Sequence, residues 1–243
     1  MIIKKRLDLL IQDRFPALSR NQIQSLIMQG KVLVEGHKSI KAGMSFPTDI
    51  PIQVTYQEPQ YVCRAGWKLA HALEYFSLDV NGLVVLDAGL STGGFTDCLL
   101  QKGARYVYGV DVGYGQVHEK IRMDPRVIVL ERTNLRYLER LPELVDCATL
   151  DLSFISLTKV IGAVKNLLAP KAKLITLIKP QFEASRYEVG KGGIIRDPKI
   201  HEKVVKGVTE AIVKEGFYLQ GVIESPLHGA SGNKEFLGYF IAE

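Results

Sequence analysis

The chain is poor in cysteine, holds a single tryptophan and carries no long apolar run. Cys63, Cys98 and Cys147 are odd in number and widely spaced, so they make neither a disulfide framework nor a zinc pattern and fit a reducing cytoplasm. Five histidines are scattered, and no metal centre is expected. No stretch of about 18 apolar residues occurs, so no membrane-spanning helix is expected. The segment Met1–Arg6 lacks an apolar core before a small-residue cleavage site, so no secretory signal is expected. Neither sign of charge dominates: 31 Lys and Arg stand against 26 Asp and Glu, a net charge of +5. That mild basicity is compatible with nucleic acid without implying it. There is no internal repeat or low-complexity segment, and nothing bears on oligomeric state.

What is present divides near residue 60. The first 60 residues hold eight Lys and Arg against five Asp and Glu, which is +3 of the total +5. Leu7, Leu10 and Ile11 predict one helix face. A second helix starts at Ser19, a good N-cap, carries Ile23, Leu26 and Ile27, and stops at Gly30. Short strands are expected at 31–34 and 50–54. The boundaries read as a small α/β unit at 1–58, a linker at 59–64 extending the polar run Gln57–Gln60, and a larger unit at 65–243. There the apolar runs 84–87, 106–112, 127–130, 147–151 and 173–178 predict strands. Helices are expected through Leu100, over 157–168 and over 199–215. Two closing strands, near 217–224 and 235–242, have no helix between them, so one runs antiparallel. Strands alternating with helices define a doubly wound, mostly parallel sheet.

The turn Asp87-Ala88-Gly89-Leu90-Ser91-Thr92-Gly93-Gly94-Phe95 joins the first of those strands to a helix. Glycines there let a ligand approach the backbone at the carboxyl edge of the sheet. The turn is not Gly-x-Gly-x-x-Gly, which disfavours a nicotinamide dinucleotide. Phe95 stands where a phosphate-binding loop needs Lys, which disfavours a triphosphate. Asp111 ends the second strand and suits ribose hydroxyls. Together these suit a nucleoside cofactor without a pyrophosphate, which points to S-adenosylmethionine. A turn that only packs helix on strand remains the alternative. Asn134, after the third strand, is a further candidate near adenine.

Four charged residues converge on the same edge by topology. Asp151 ends the fourth strand, Lys179 ends the fifth, Glu235 opens an antiparallel last strand, and Lys68 lies in the first turn of the preceding helix. Methylating a hydroxyl requires removal of a poorly acidic proton. A lysine does this only when partly neutral, and burial or a neighbouring cation shifts it that way while carboxylates oppose the shift. On this reading Lys179 is the base, Asp151 its partner, Lys68 the tuning cation, and Glu235 orients the nucleotide. Taken singly, Lys68 or Glu235 reads more readily as a surface charge or a member of a structural ion pair, whereas charges ending buried strands are costly without a role.

These residues carry a resemblance. Arg6-Leu7-Asp8, Ser19-Arg20, Gly30-Lys31-Val32, Val34-Glu35-Gly36 and Lys41-Ala42-Gly43 are similar to the RNA-binding domain named after small-subunit ribosomal protein four. Ser91–Asp97, Val110–Gln116, Asp151–Ser156, Lys179–Glu183 and Gly232-Asn233 resemble the hemolysin-A (TlyA) family of ribosomal RNA 2′-O-methyltransferases, whose catalytic domain is FtsJ-like. The resemblance implies a Rossmann-like S-adenosylmethionine-dependent fold with a seven-stranded sheet. It implies a Lys-Asp-Lys-Glu tetrad at Lys68, Asp151, Lys179 and Glu235, S-adenosylmethionine as methyl donor, and cytidine 2′-hydroxyls of ribosomal RNA or ribosomal subunits as targets. Two positions depart from the family pattern: Leu90 stands where Ala is frequent, and Cys63 where Ser is common.

With that resemblance, Arg6, Arg20, Asn21, Lys31, Lys38 and Lys41 read as an RNA footprint rather than a solvated basic face. Arg64 precedes Lys68 at the same edge. A second basic, Gly-rich stretch holds Arg186, Lys191 and Arg196. It grips RNA beside the crevice or is an ordinary long connection, and both readings stand. Other methyltransferase chemistries fit less well: Asp151-Leu152-Ser153-Phe154 lacks the two prolines common in amine methylases, and no Pro-Cys pair serves carbon-five methylation. A non-catalytic assembly factor and an indirect hemolytic effect are the remaining alternatives.

Overall fold

The computed structural model describes residues 3–37, 39–56 and 59–243. Lys38 of the expected footprint, and Gln57 and Glu58 of the expected linker, lie outside the described residues. The chain forms two compact units, Met1–Pro59 and Gln60–Glu243.

The first unit comprises β1 (Lys4–Arg6), α1 (Leu7–Arg14), α2 (Arg20–Met28), β2 (Val32–Val34), β3 (Ser45–Pro47) and β4 (Ile52–Val54). Ser19 closes a capping box on α2: its hydroxyl accepts from the Gln22 amide and the Gln22 side chain accepts from the Ser19 amide. Gly30, at φ +69°, ends the same helix in the left-handed conformation that favours glycine. Leu7, Leu10, Ile11, Ile23, Leu26 and Ile27 bury against Val32, Val34 and Phe46. β1 pairs antiparallel with β3, and β2 with β4. The β1–β3 pair was not expected. Its strands have three residues each, one wholly basic and one ending in Pro47, too short for an alternation pattern to register.

The second unit comprises α3 (Ala65–Tyr75), β5 (Val84–Ala88), α4 (Gly94–Gln101), β6 (Tyr106–Val110), α5 (Glu119–Arg122), β7 (Val127–Leu130), β8 (Val145–Leu150), α6 (Ile161–Lys165), β9 (Leu168–Ile178), α7 (Pro180–Glu183), α8 (Pro198–Lys214), β10 (Phe217–Glu224) and β11 (Phe236–Ala242). The sheet has seven strands in the order β10-β11-β9-β8-β5-β6-β7. β11 runs antiparallel to both neighbours, and the pairs among β5 to β9 are parallel. One face packs Val160, Ile161 and Val164 with Val204, Val208 and Ile212 of α8. The other packs Leu69 and Leu73 of α3 with Leu99 and Leu100 of α4. β5 lies between β6 and β8, so the chain direction of strand order reverses beside its carboxyl end. That switch point opens the crevice where doubly wound sheets bind ligands.

Three elements differ from expectation. The helix expected over 157–168 is a 3-10 turn at Leu157–Lys159 followed by the short α6. Its apolar face is buried as the spacing implies, but Leu168 already belongs to β9. β9 starts five residues before the expected Lys173, and its pairing with β8 breaks between Leu168 and Lys173. Pro170 lacks a donor and Lys171 sits at φ +61°, and both hide the strand pattern. The second strand ends at Val110 rather than at residue 112, leaving Asp111 free at its tip.

Candidate active site

The turn after β5 is shaped by close approaches. Gly89 is at φ +86°, and a Cβ there would stand 2.3 Å from the Asp151 carbonyl oxygen. A Cβ on Gly93, at φ +93°, would meet Ile121 at 2.9 Å. Leu90 is buried and fills the space above Gly109, where a Cβ would meet its side chain at 2.7 Å. The larger residue at position 90 therefore packs on β6 rather than intruding on the crevice. Cys63 likewise sits against Gly94, whose Cβ would lie 2.4 Å from the sulfur. Asp111 holds the turn from the next strand. Its carboxylate accepts from the Ser91 amide and from the Gly113 amide, each at 2.7 Å.

These elements enclose a cavity of about 390 Å³, within the size range of small-molecule sites. Of the residues singled out for a cofactor, Gly89, Ser91, Asp111 and Asn134 line it. Asp87, Thr92, Gly93, Gly94 and Phe95 do not line it. Phe95 is buried in the α3–α4 core. Asp87 is fully buried and accepts from Thr96 Oγ1 at 2.6 Å and Thr149 Oγ1 at 2.9 Å. Burial pushes its carboxyl up to about 6 against those hydrogen bonds, and the charge of Asp151 pushes the same way. These residues support the turn from beneath. Sequence reasoning missed Leu135, Leu152, Ile155 and Val160, the apolar walls. They follow strand ends but look like any core residue in one dimension.

A second cavity, about 630 Å³, adjoins the first through Gly89, Ser91, Asp151, Ser153 and Phe154, which line both. Lys68, Asp151, Lys179 and Glu235 all line it. β8 and β9 are parallel neighbours, so Asp151 and Lys179 leave the sheet together. β11 runs the other way, which brings its start, next to Glu235, to the same edge. Lys68, Lys179 and Glu235 are only 5%, 9% and 2% exposed. The four residues form two pairs. Lys68 Nζ lies 2.5 Å from Glu235 Oε2, and Lys179 Nζ lies 2.7 Å from Asp151 Oδ1 and 3.0 Å from Ser153 Oγ. Lys68 was expected as a cation tuning Lys179, with the carboxylates opposing that shift. Its charge is matched by Glu235. Asp151 Oδ1 touches the lysine off the hydrogen-bonding line and, among the described residues, accepts no hydrogen bond. Gln181 Oε1 is also buried and unpartnered there.

Phe154, another residue not singled out, is 90% exposed at the mouth shared by both cavities and holds φ +64°. Its ring lies 5.0 Å from that of Phe182, over which Lys179 Nζ sits at 5.9 Å. A non-glycine residue in that backbone region is a strained feature found at binding sites. No pattern in the sequence announces it.

The basic residues fall into groups. In the first unit Arg6 and Arg20 both contact the buried Asp8, at 2.9 and 3.2 Å, and hold its carboxyl below the usual range. Asn21, Lys31 and Lys41 are exposed. In the second unit Arg64 precedes α3 and lines the larger cavity. Arg186, Lys191 and Arg196 are exposed and do not line it, whereas Val189, Gly192 and Gly193 of the same loop do. Asn233 fixes that loop: it accepts from the Ile195 amide and donates to the Gly193 carbonyl, each at 2.9 Å. Among the described residues no cluster of three or more His, Cys, Asp or Glu could hold a metal ion, and no helix is long and apolar enough to cross a membrane.

A seven-stranded sheet with one antiparallel strand, a glycine turn at its switch point and a lysine–carboxylate cavity beside it define a Rossmann-like methyltransferase. Comparison with known proteins agrees. Residues 61–241 match the FtsJ-like methyltransferase family and residues 5–43 match the S4 domain. The "16S/23S rRNA (cytidine-2'-O)-methyltransferase TlyA" of Mycobacterium tuberculosis is 42% identical over 97% of this chain and 89% of its own length. "Hemolysin A" of Brachyspira hyodysenteriae is 40% identical over 97% and 99%. A solved structure from Streptococcus thermophilus is 38% identical, covers 100% of this chain and 90% of its own, and superposes with a TM-score of 0.76. The chain belongs to the FtsJ-like methyltransferases and, within them, to the TlyA family with an N-terminal S4 domain.

Proposed function

We propose that this protein transfers a methyl group from S-adenosylmethionine to the ribose 2′-hydroxyl of a cytidine in ribosomal RNA. The observation that carries this reading is the joining of the two cavities at Asp151. One is of nucleoside size with a ribose-binding acid at Asp111, and the other holds two buried lysine–carboxylate pairs. When bound, S-adenosylmethionine supplies an electrophilic methyl group at the junction. Asp111 accepts from the cofactor's ribose hydroxyls through lone pairs not used by its two backbone donors. Asn134 spends its carbonyl oxygen on the Arg136 amide, at 3.1 Å, so its NH2 is the group free for adenine.

On the acceptor side Lys179, held by Asp151 and Ser153, in its unprotonated form accepts the 2′-hydroxyl proton as the oxygen attacks. The new bond is oxygen to methyl carbon, the bond broken is methyl carbon to sulfur, and the proton ends on Lys179 Nζ. The Lys68–Glu235 pair is a fixed polar wall that orients the nucleotide. Residues 1–58 are the RNA-binding module, with Arg6, Arg20, Asn21, Lys31 and Lys41 on phosphates, and 59–64 are the linker. Arg64, Arg186, Lys191 and Arg196 extend the backbone contact. A ribosomal substrate implies the cytoplasm, the compartment the thiols suggest. The relative from Brachyspira hyodysenteriae is named for hemolysis, an activity this reading does not require.

The test is incubation of purified ribosomal subunits with methyl-labelled S-adenosylmethionine, followed by nuclease digestion and nucleoside analysis. Label in 2′-O-methylcytidine supports the reading. Label on a base sinks it.

A further inference from the structure

Gln181 lines the larger cavity and takes no part in the proposed reaction. It lies two residues after Lys179, in the first turn of α7, and lines the acceptor cavity but not the cofactor cavity. Its Oε1 is buried and, among the described residues, has no hydrogen-bond partner. Burying a carbonyl oxygen unpaired is costly, so such an atom beside a site marks a place for a ligand donor.

The donor can be narrowed by chemistry, accepting the proposed function. The phosphates and ring oxygen of an internal RNA nucleotide only accept hydrogen bonds. Its 2′-hydroxyl is engaged by Lys179. The cofactor lies in the other cavity. The remaining donors are the N–H groups of the base, and cytosine has one such group, the exocyclic amine at C4. Phe182, the next residue, carries the ring that meets Phe154 at 5.0 Å, so an aromatic surface for the base adjoins the amide.

We infer that Gln181 is a specificity-determining residue that accepts a hydrogen bond from the exocyclic amine of the target cytosine. Uridine has a carbonyl oxygen at that position, which faces Oε1 as acceptor against acceptor. A site built around a polar contact rejects the analogue that cannot make it.

The experiment compares wild type, Gln181→Met and Gln181→Glu on the same RNA with cytidine or uridine at the mapped position, reading kcat/KM for 2′-O-methyl formation and cofactor affinity. Wild type is expected to prefer cytidine by about ten- to a hundredfold. Gln181→Met, similar in shape and without the acceptor, brings the ratio within about threefold of unity and leaves cofactor affinity unchanged. Gln181→Glu, which keeps the acceptor, retains the preference. An unchanged ratio in Gln181→Met overturns the inference while leaving the function intact. Absence of any ribose methylation by wild type overturns both.

Discussion

Replacing Asp87 by Asn tests the electrostatics beneath the glycine turn. The carboxyl is fully buried, accepts from Thr96 and Thr149 and, among the described residues, forms no salt bridge. Its folded-state value is about 6, against an unfolded value of 3.8. A raised acid binds its proton more tightly in the folded state. Its contribution to stability is therefore fully present below about pH 4 and is lost as pH rises through about 6. A shift of about two units at about 1.4 kcal/mol each makes the loss about 3 kcal/mol. Asn copies the shape of the protonated acid, and the Thr96 hydroxyl can accept where it now donates. Urea unfolding of both proteins at pH 4.5 to 7 checks this. The stability of wild type minus that of Asp87→Asn should fall by about 2 kcal/mol between pH 4.5 and 7, the rest of the loss lying below pH 4.5, and level off near pH 7. A difference that is constant with pH, or that rises, refutes the reasoning.

Three other outcomes follow from the same coordinates. Gly89→Ala puts a Cβ 2.3 Å from the Asp151 carbonyl at positive φ. It should cost about 2 kcal/mol in unfolding experiments and reduce kcat more than cofactor affinity, because Asp151 must move. Removing one partner of the buried Lys68–Glu235 pair, as in Lys68→Met, should destabilise by about 3–5 kcal/mol, whereas Lys68→Met with Glu235→Leu should recover much of that stability but not activity. Lys31→Ala and Lys41→Ala should each lower the salt-dependence slope of RNA binding by about one, without changing which ribose is methylated.

The parts of the molecule with strong local signals were readable in one dimension. The Ser19 cap, the continuous apolar runs of β5 and β8, and the wide apolar face of α8 each follow from chemistry within a few residues. The convergence of Lys68, Asp151, Lys179 and Glu235 followed from topology, since parallel neighbours end together and an antiparallel strand begins where they end. The Lys179–Asp151 pair was readable, and the partner of Lys68 was not. Whether Lys68 faces Lys179 or Glu235 depends on side-chain geometry between residues 167 positions apart. The bulged start of β9 was hidden by Pro170 and Lys171. The close packing of Gly93 on Ile121 and of Gly94 on Cys63 is likewise invisible in the sequence of the turn. Phe154 and Gln181 lie inside quoted motifs, but their roles were not legible, because exposure of a ring and orphaning of an amide are properties of the folded surface.

The most direct test of the central claim is methyl transfer to ribosomal subunits by Lys179→Ala, with cofactor affinity measured on the same preparation. Lys179 contacts Asp151 and Ser153 in the acceptor cavity and does not line the cofactor cavity. The account predicts loss of 2′-O-methylcytidine formation by a factor of about 100 or more, with cofactor affinity within about threefold of wild type. Ribose methylation at the wild-type rate by Lys179→Ala would contradict it.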